Sequence, residues 1–232
     1  MKIMGLQKLT LLDYPGKTAA IVFVGGCNFD CTFCHNADLI PFPVSDAVSQ
    51  EEIFAFLDKR KNVLEGVCIT GGEPLLSSGL ESFIKRIKEF GYAVKLDTNG
   101  TNPNKLDRLI KARLIDYVAM DIKNSTQKYT LTAGVEKLDL NLIEKSVQLI
   151  KSAAIEYGID YEFRTTLISE YHTFDDLLKV GQWLKGAKKY VLQTFKDSTA
   201  VRRKDLSAFS KEETASAAEM LKQYISCVDI RE

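Results

Sequence analysis

Residues 18–36 read Thr-Ala-Ala-Ile-Val-Phe-Val-Gly-Gly-Cys-Asn-Phe-Asp-Cys-Thr-Phe-Cys-His-Asn, an apolar run that stops at two glycines and gives way to three cysteines. A short apolar run bounded by a turn signal predicts a buried strand over Thr18–Val24, with the reactive side chains starting where the strand ends. Pro15-Gly16 marks the turn that feeds this strand. Residues 1–16 are therefore expected to form an N-terminal extension, with 6–16 a short strand or hairpin.

The same arrangement recurs downstream. Val67–Thr70, Ala93–Asp97, Tyr117–Ile122, Tyr161–Leu167 and Tyr190–Thr194 each read as a buried strand, and segments of helical spacing lie between them. Leu80, Phe83, Ile84 and Ile87 share one helix face, as do Ile143, Val147, Ile150 and Ala154. Ser49 with Glu52 and Ser210 with Glu213 match the capping box, in which hydroxyl and carboxylate satisfy exposed backbone donors reciprocally. Six strand-then-helix units require parallel strands joined by right-handed crossovers, either as an open doubly wound sheet or as a curved partial barrel. Cys27, Gly71, Asp97, Asp121 and Gln193 all fall at or just past strand carboxyl ends, which in a barrel converge on one mouth. A complete eight-unit barrel needs ~250 residues. Six units in 232 residues predict an α/β fold that is a partial, laterally open (β/α)6 TIM-like barrel, and an open side admits a macromolecular substrate.

At 45% hydrophobic residues the chain can bury a sizeable core, and with no repeat or linker it reads as one domain over residues 1–232. Thirty-one basic residues balance thirty-one acidic ones, so no net positive field points to nucleic acid or an anionic membrane. Met1–Thr10 lacks the features of a secretory signal, and no apolar stretch approaches the ~20 residues of a membrane span. The expected location is cytoplasmic. Three of the five cysteines fall within eight positions, which suits metal ligation in a reducing compartment better than a disulfide framework.

Cys27, Cys31 and Cys34 can wrap three corners of a cubane cluster, and Gly25 and Gly26 let the backbone turn close to it. A [4Fe-4S] cluster usually takes four cysteines; with no fourth nearby, one iron stays open to another ligand. Zinc is the alternative, but it wants a fourth protein ligand, and the only adjacent candidate, His35, is pinned beside Cys34. The C-x3-C-x2-C spacing, with Phe33 before the last cysteine, resembles the signature of the radical S-adenosylmethionine (SAM) superfamily. That resemblance implies a cluster whose open iron chelates the methionine end of SAM. An electron from it then splits the sulfonium to give methionine and a 5'-deoxyadenosyl radical. It further implies that Phe33 touches the adenine and that His35 and Asn36 shape the cluster loop. For His35 a local structural hydrogen bond is an equal alternative.

Thr70-Gly71-Gly72-Glu73-Pro74 ends the second strand, where glycines permit backbone carbonyls to approach a ligand ammonium and Pro74 stiffens the exit. Alone it is a plain strand-to-helix turn; after the cysteine loop it resembles the superfamily's second motif, which holds the amino group of the methionine. Asp97-Thr98-Asn99-Gly100 and Asp121-Ile122-Lys123 end the next two strands. Two carboxylates at one mouth repel unless a cation intervenes, whether Lys123, the sulfonium or another ion; a helix cap from Asp97 or Asn99 and a solvated Asp121 is the bland reading. Both segments resemble the glycyl-radical-enzyme activating branch, in which matching carboxylates help bind the cofactor and can hold a monovalent cation. Arg164, inside an apolar strand, must be paired, either with a cofactor carboxylate or with Asp97 or Asp121. Related enzymes often place a histidine near the ribose at the sixth strand; here Gln193 takes that position. Cys68 reads as a small buried hydrophobe. Tyr129–Gly134 reads either as a lip over the site or as surface loop.

With the opening Leu6–Lys17, the cluster loop, and Met120–Lys123 followed by Tyr129 and Gly134, the chain resembles the anaerobic ribonucleoside-triphosphate reductase activating protein family. That resemblance implies hydrogen abstraction from a glycine of a glycyl radical enzyme, with reduced flavodoxin or ferredoxin as electron donor. Pyruvate formate-lyase activation shares every motif. Small-molecule radical chemistry, and a non-catalytic iron–sulfur carrier or sensor, are the more distant alternatives.

Overall fold

The computed structural model describes residues 1–232. The strand read from residues 18–24 is β2 (Ala19–Val24), and its alternation decides the rest. Successive strand side chains face opposite sides: Ile21 and Phe23 line a cavity, whereas Ala20, Val22 and Val24 enter the main apolar core. The pattern repeats in β3 (Gly66–Gly71), β4 (Ala93–Thr98), β5 (Tyr117–Asp121), β6 (Asp160–Leu167) and β7 (Lys189–Thr194). Cys68, Thr70, Asp97, Asp121, Arg164, Thr166 and Gln193 face the cavity, while Ile69, Leu96, Met120, Phe163 and Leu192 face the core under the helices.

The strands form one sheet in chain order, parallel from β2 onward, with β1 (Ile3–Thr10) antiparallel to β2. A seventh parallel strand, β8 (Cys227–Arg231), extends the six read from the sequence. Its five residues, Cys-Val-Asp-Ile-Arg, carry two charges and lie on an exposed edge, so no apolar run announces it. β1 and β8 are the two ends of the sheet and do not pair with each other, so the barrel stays open along that side.

The helices follow their patterns. Ser49 and Ser210 cap α1 (Gln50–Asp58) and α7 (Lys211–Leu221) through the expected boxes; Thr173 with Asp176 builds a third at α6 (Phe174–Trp183). On α2 (Leu80–Glu89), Leu80, Phe83, Ile84 and Ile87 are buried. α3 (Pro103–Lys111) buries Leu106, Leu109 and Ile110. On α5 (Leu140–Tyr157) the buried face runs through Ile143, Val147 and Ile150 to Ala153, leaving the expected Ala154 at its margin. Tyr129–Gly134 is neither lip nor loose loop. It is a short helix, α4 (Tyr129–Ala133), with Tyr129 and Ala133 buried and Gly134 in the left-handed region against the Asp30 carbonyl.

Candidate active site

The cysteine loop leaves β2 over a floor of backbone contacts. Gly72 N–H donates to Val24 O and Glu73 N–H to Gly26 O, both at 2.8 Å, which ties the end of β3 to the start of the loop. A Cβ on Gly72 would stand 2.2 Å from Gly26 O, so only glycine allows this approach. Asn36 Nδ2 reaches Gly71 O at 3.4 Å. From the other flank, Asn99 Nδ2 donates to Asn28 Oδ1 at 2.8 Å and Asn28 Nδ2 to Thr101 Oγ1 at 3.0 Å. The ends of β3 and β4 thus grip the loop that leaves β2.

Cys27, Cys31 and Cys34 are free thiols that line a cavity of about 400 Å³, within the range of cofactor sites. Phe29 N–H donates to Cys27 Sγ at 3.4 Å and Asn36 N–H to Cys34 Sγ at 3.3 Å; such bonds stabilise anionic sulfur. Burial pushes the Cys27 thiol up to about 11 despite the Phe29 N–H, and raises Cys31 despite Lys123. Metal coordination is what turns such thiols into thiolates. No three His, Cys, Asp or Glu side chains converge on a point that one ion could fill. Three sulfurs with no fourth protein ligand suit a cubane with one open iron better than a four-coordinate zinc. The donor set fits a [4Fe-4S] cluster.

The cavity wall is charged. Asp97 meets Arg164 Nη1 at 3.2 Å and also bonds Lys95; Asp121 meets Arg164 Nη2 at 2.8 Å and Lys123 Nζ at 3.0 Å. Burial acts to raise both carboxyls, but Arg164 with Lys95 at Asp97, and Arg164 with Lys123 at Asp121, outweigh it and hold them below the ordinary range. Arg164 therefore makes the bridge to both carboxylates, and Lys95, hidden in a strand read as apolar, joins them.

Glu73 is fully enclosed. Its carboxylate accepts from Leu75 N–H at 2.9 Å, Thr98 Oγ1 at 2.8 Å and Asn99 N–H at 2.5 Å, yet burial pushes it up to about 7. His35 makes a structural hydrogen bond, Nε2 to Lys196 O at 2.6 Å, with its ring parallel to Phe195, which straps the cysteine loop to the exit of β7.

Phe33, His35, Gly71, Gly72, Glu73, Asp97, Thr98, Asn99, Asp121, Lys123, Arg164 and Gln193 line the same cavity as the cysteines. Two expected cofactor contacts are absent from that lining: Pro74 is buried at the start of a single 3-10 turn, and Ile122 turns its side chain into the core, its carbonyl accepting from Thr165 Oγ1 at 2.6 Å, and borders only a small adjoining hollow with Phe33, Asp121, Lys123 and Arg164. The cavity also takes Gln7 from β1, and Asp13 and Cys68 at its floor, where Cys68 Sγ–H donates to Asp13 O at 3.4 Å. Two-residue alternation from Thr70 points to Cys68; nothing local flags Gln7 or Asp13.

Residues 21–184 match the family model of the radical SAM superfamily. The chain is 32% identical to a protein of Methanocaldococcus jannaschii named as a glycyl-radical enzyme activating enzyme, over 99% of this chain and 95% of that protein. It is 24% identical to the pyruvate formate-lyase-activating enzyme of Clostridium pasteurianum, over 97% and 98% of the two chains. In fold it is similar to a radical SAM methyltransferase from Sphaerobacter thermophilus, with a TM-score of 0.74 at 17% identity, covering 96% of this chain and 68% of that one.

Proposed function

Because this chain belongs to the radical SAM superfamily, and within it to the glycyl-radical enzyme activating enzymes, we propose that its cavity holds a [4Fe-4S] cluster on Cys27, Cys31 and Cys34 with SAM beside it. Members of the superfamily use this pair of cofactors. When bound and reduced, the cluster supplies the electron that splits SAM into methionine and a 5'-deoxyadenosyl radical.

The chain's own residues bind and enclose. Three protein sulfurs leave one iron for the amino-acid end of SAM. Gly71 and Gly72 keep side chains away, so backbone carbonyls receive the ammonium. Lys123 and Arg164 would hold the carboxylate, Asp97 and Asp121 would balance the sulfonium, Gln193 would offer a hydrogen bond to the ribose, and Phe33 would pack on the adenine, while Thr98 and Asn99 hold the cavity wall in place through Glu73 and Asn28. Water must be kept out while a carbon radical exists, and a partner loop carrying a glycine, entering between β1 and β8, closes the pocket.

The target is the glycine of an anaerobic, class III ribonucleoside-triphosphate reductase, with reduced flavodoxin or ferredoxin supplying electrons in the cytoplasm. The opening Leu6–Lys17, together with Met120–Lys123, Tyr129 and Gly134, supports this target. The full-length similarity to a pyruvate formate-lyase-activating enzyme favours the lyase as the second reading. The observation that carries the proposal is that three thiols and the Asp97–Arg164–Asp121–Lys123 set face one cavity in a laterally open sheet.

The test mixes anaerobically reconstituted protein, reductant and SAM with each candidate partner. A glycyl EPR doublet on the reductase alone is expected; on the lyase alone it reassigns the target, and on neither it discards the activase reading.

A further inference from the structure

The activating-enzyme resemblance implies a monovalent cation beside Asp97 and Asp121, but every side-chain oxygen of the two already faces a positive charge of the chain. Asp97 Oδ1 bonds Lys95 Nζ, and Oδ2 lies 3.2 Å from Arg164 Nη1. Asp121 Oδ1 lies 2.8 Å from Arg164 Nη2, and Oδ2 lies 3.0 Å from Lys123 Nζ. All four oxygens already face a cation of the chain.

Lys95 decides the matter. Arg164 and Lys123 line the cavity and can turn toward an incoming carboxylate, whereas Lys95 stands behind them, its side chain 1% exposed. It leaves β4 two residues before Asp97, on the same face, and its Nζ sits 5.9 Å from the Tyr117 ring centroid. A buried ammonium is costly unless paired, so Lys95 is held on Asp97 whatever the other two do. An alkali ion drawn to Asp97 would meet a fixed charge of its own sign.

We infer that Lys95 is a built-in counter-ion that takes the place of a monovalent cation, so that SAM binding by this protein needs neither sodium nor potassium. The inference rests on the reading of the cavity as a SAM site.

The test is equilibrium dialysis of SAM against the anaerobically reconstituted full-length protein in sodium, potassium or tetramethylammonium chloride of equal ionic strength. The perturbation of the reduced-cluster EPR signal by SAM is recorded in each salt. Wild type should bind equally in all three. Lys95→Met keeps the stem and removes the charge; it should bind ~10-fold more weakly in tetramethylammonium and recover with sodium or potassium, a change worth ~1.4 kcal/mol. Wild-type binding that depends on an alkali cation overturns the inference even if the variant does not fold. So does a folded Lys95→Met that binds equally in every salt. No binding in any salt would instead defeat the SAM reading itself, and the inference with it.

Discussion

Arg164 and Asp121 are paired residue for residue across the β5–β6 ladder, and Arg164 Nη2 lies 2.8 Å from Asp121 Oδ1. Backbone register thus fixes the ion pair before any ligand arrives. From the same position the guanidinium reaches Asp97, one strand further on.

Removing that fork should be felt in fold and site alike. Arg164→Met leaves Asp97 with Lys95 alone and Asp121 with Lys123 alone. Stability should fall by about 3 kcal/mol, the low end for breaking a buried pair, because Asp121 keeps some contact with the cavity mouth. Arg164→Lys restores the charge but not the two-pronged geometry, and should recover only part of the loss. Denaturant titration of the three metal-free proteins checks both expectations.

Glu73 makes stability depend on pH in the direction opposite to an ordinary paired carboxylate. Burial raises its folded-state value to about 7, so the folded protein binds a proton that the unfolded chain has already released. Its contribution is complete below the unfolded carboxylate range and is lost as pH rises to about 7, a difference of about 3 kcal/mol. Unfolding free energies of metal-free wild type should therefore decline over this interval relative to Glu73→Gln. The variant loses stability of its own, since its amide NH2 opposes a backbone N–H, but lacks the Glu73 pH limb. Parallel pH profiles for the two proteins would defeat the prediction.

Gly72→Ala should loosen the cysteine loop without touching a cysteine. The added Cβ meets Gly26 O and C, backbone atoms that cannot rotate away, so the end of β3 and the loop must separate. Overpacking of this kind costs about 1–3 kcal/mol. The variant should take up less iron on anaerobic reconstitution than wild type, measured as iron per chain.

The strands that build the mouth were legible because each is a short apolar run ending in a polar or glycine residue, as at Val24–Gly25 and Met120–Asp121. The cysteine spacing and Gly71-Gly72-Glu73 were equally plain, being contiguous. What stayed hidden depends on which face a side chain takes, or on pairing across the sheet. Lys95 looks like a stray charge in Ala93–Asp97 until the two-residue alternation puts it beside Asp97. Pro74 and Ile122 lie within site motifs, yet their side chains face the core, which contiguity in sequence does not reveal. β8 was missed because Asp229 and Arg231 break its apolar run, and their partners, Lys189 and Glu162, lie far away in the chain.

That last pair carries a prediction about the open edge. The Glu162 side chain is 0% exposed; its oxygens accept from Arg231 at 3.1 Å each and from Tyr117 Oη at 3.0 Å, while Lys189 stands 4.0 Å off and is engaged by Asp229 at 2.9 Å. Arg231→Met would leave a buried carboxylate with one neutral donor and a distant ammonium, and should cost about 3 kcal/mol or more. Adding Glu162→Gln to that variant removes the stranded charge and should return part of the loss, because deleting both partners of a buried pair is less harmful than deleting one. β8 amides should exchange faster in the single variant while β3 and β4 amides stay protected, since the pair staples only the edge. A loss spread evenly over the sheet would mean that β8 is held by its backbone ladder and not by the Glu162–Arg231 contact.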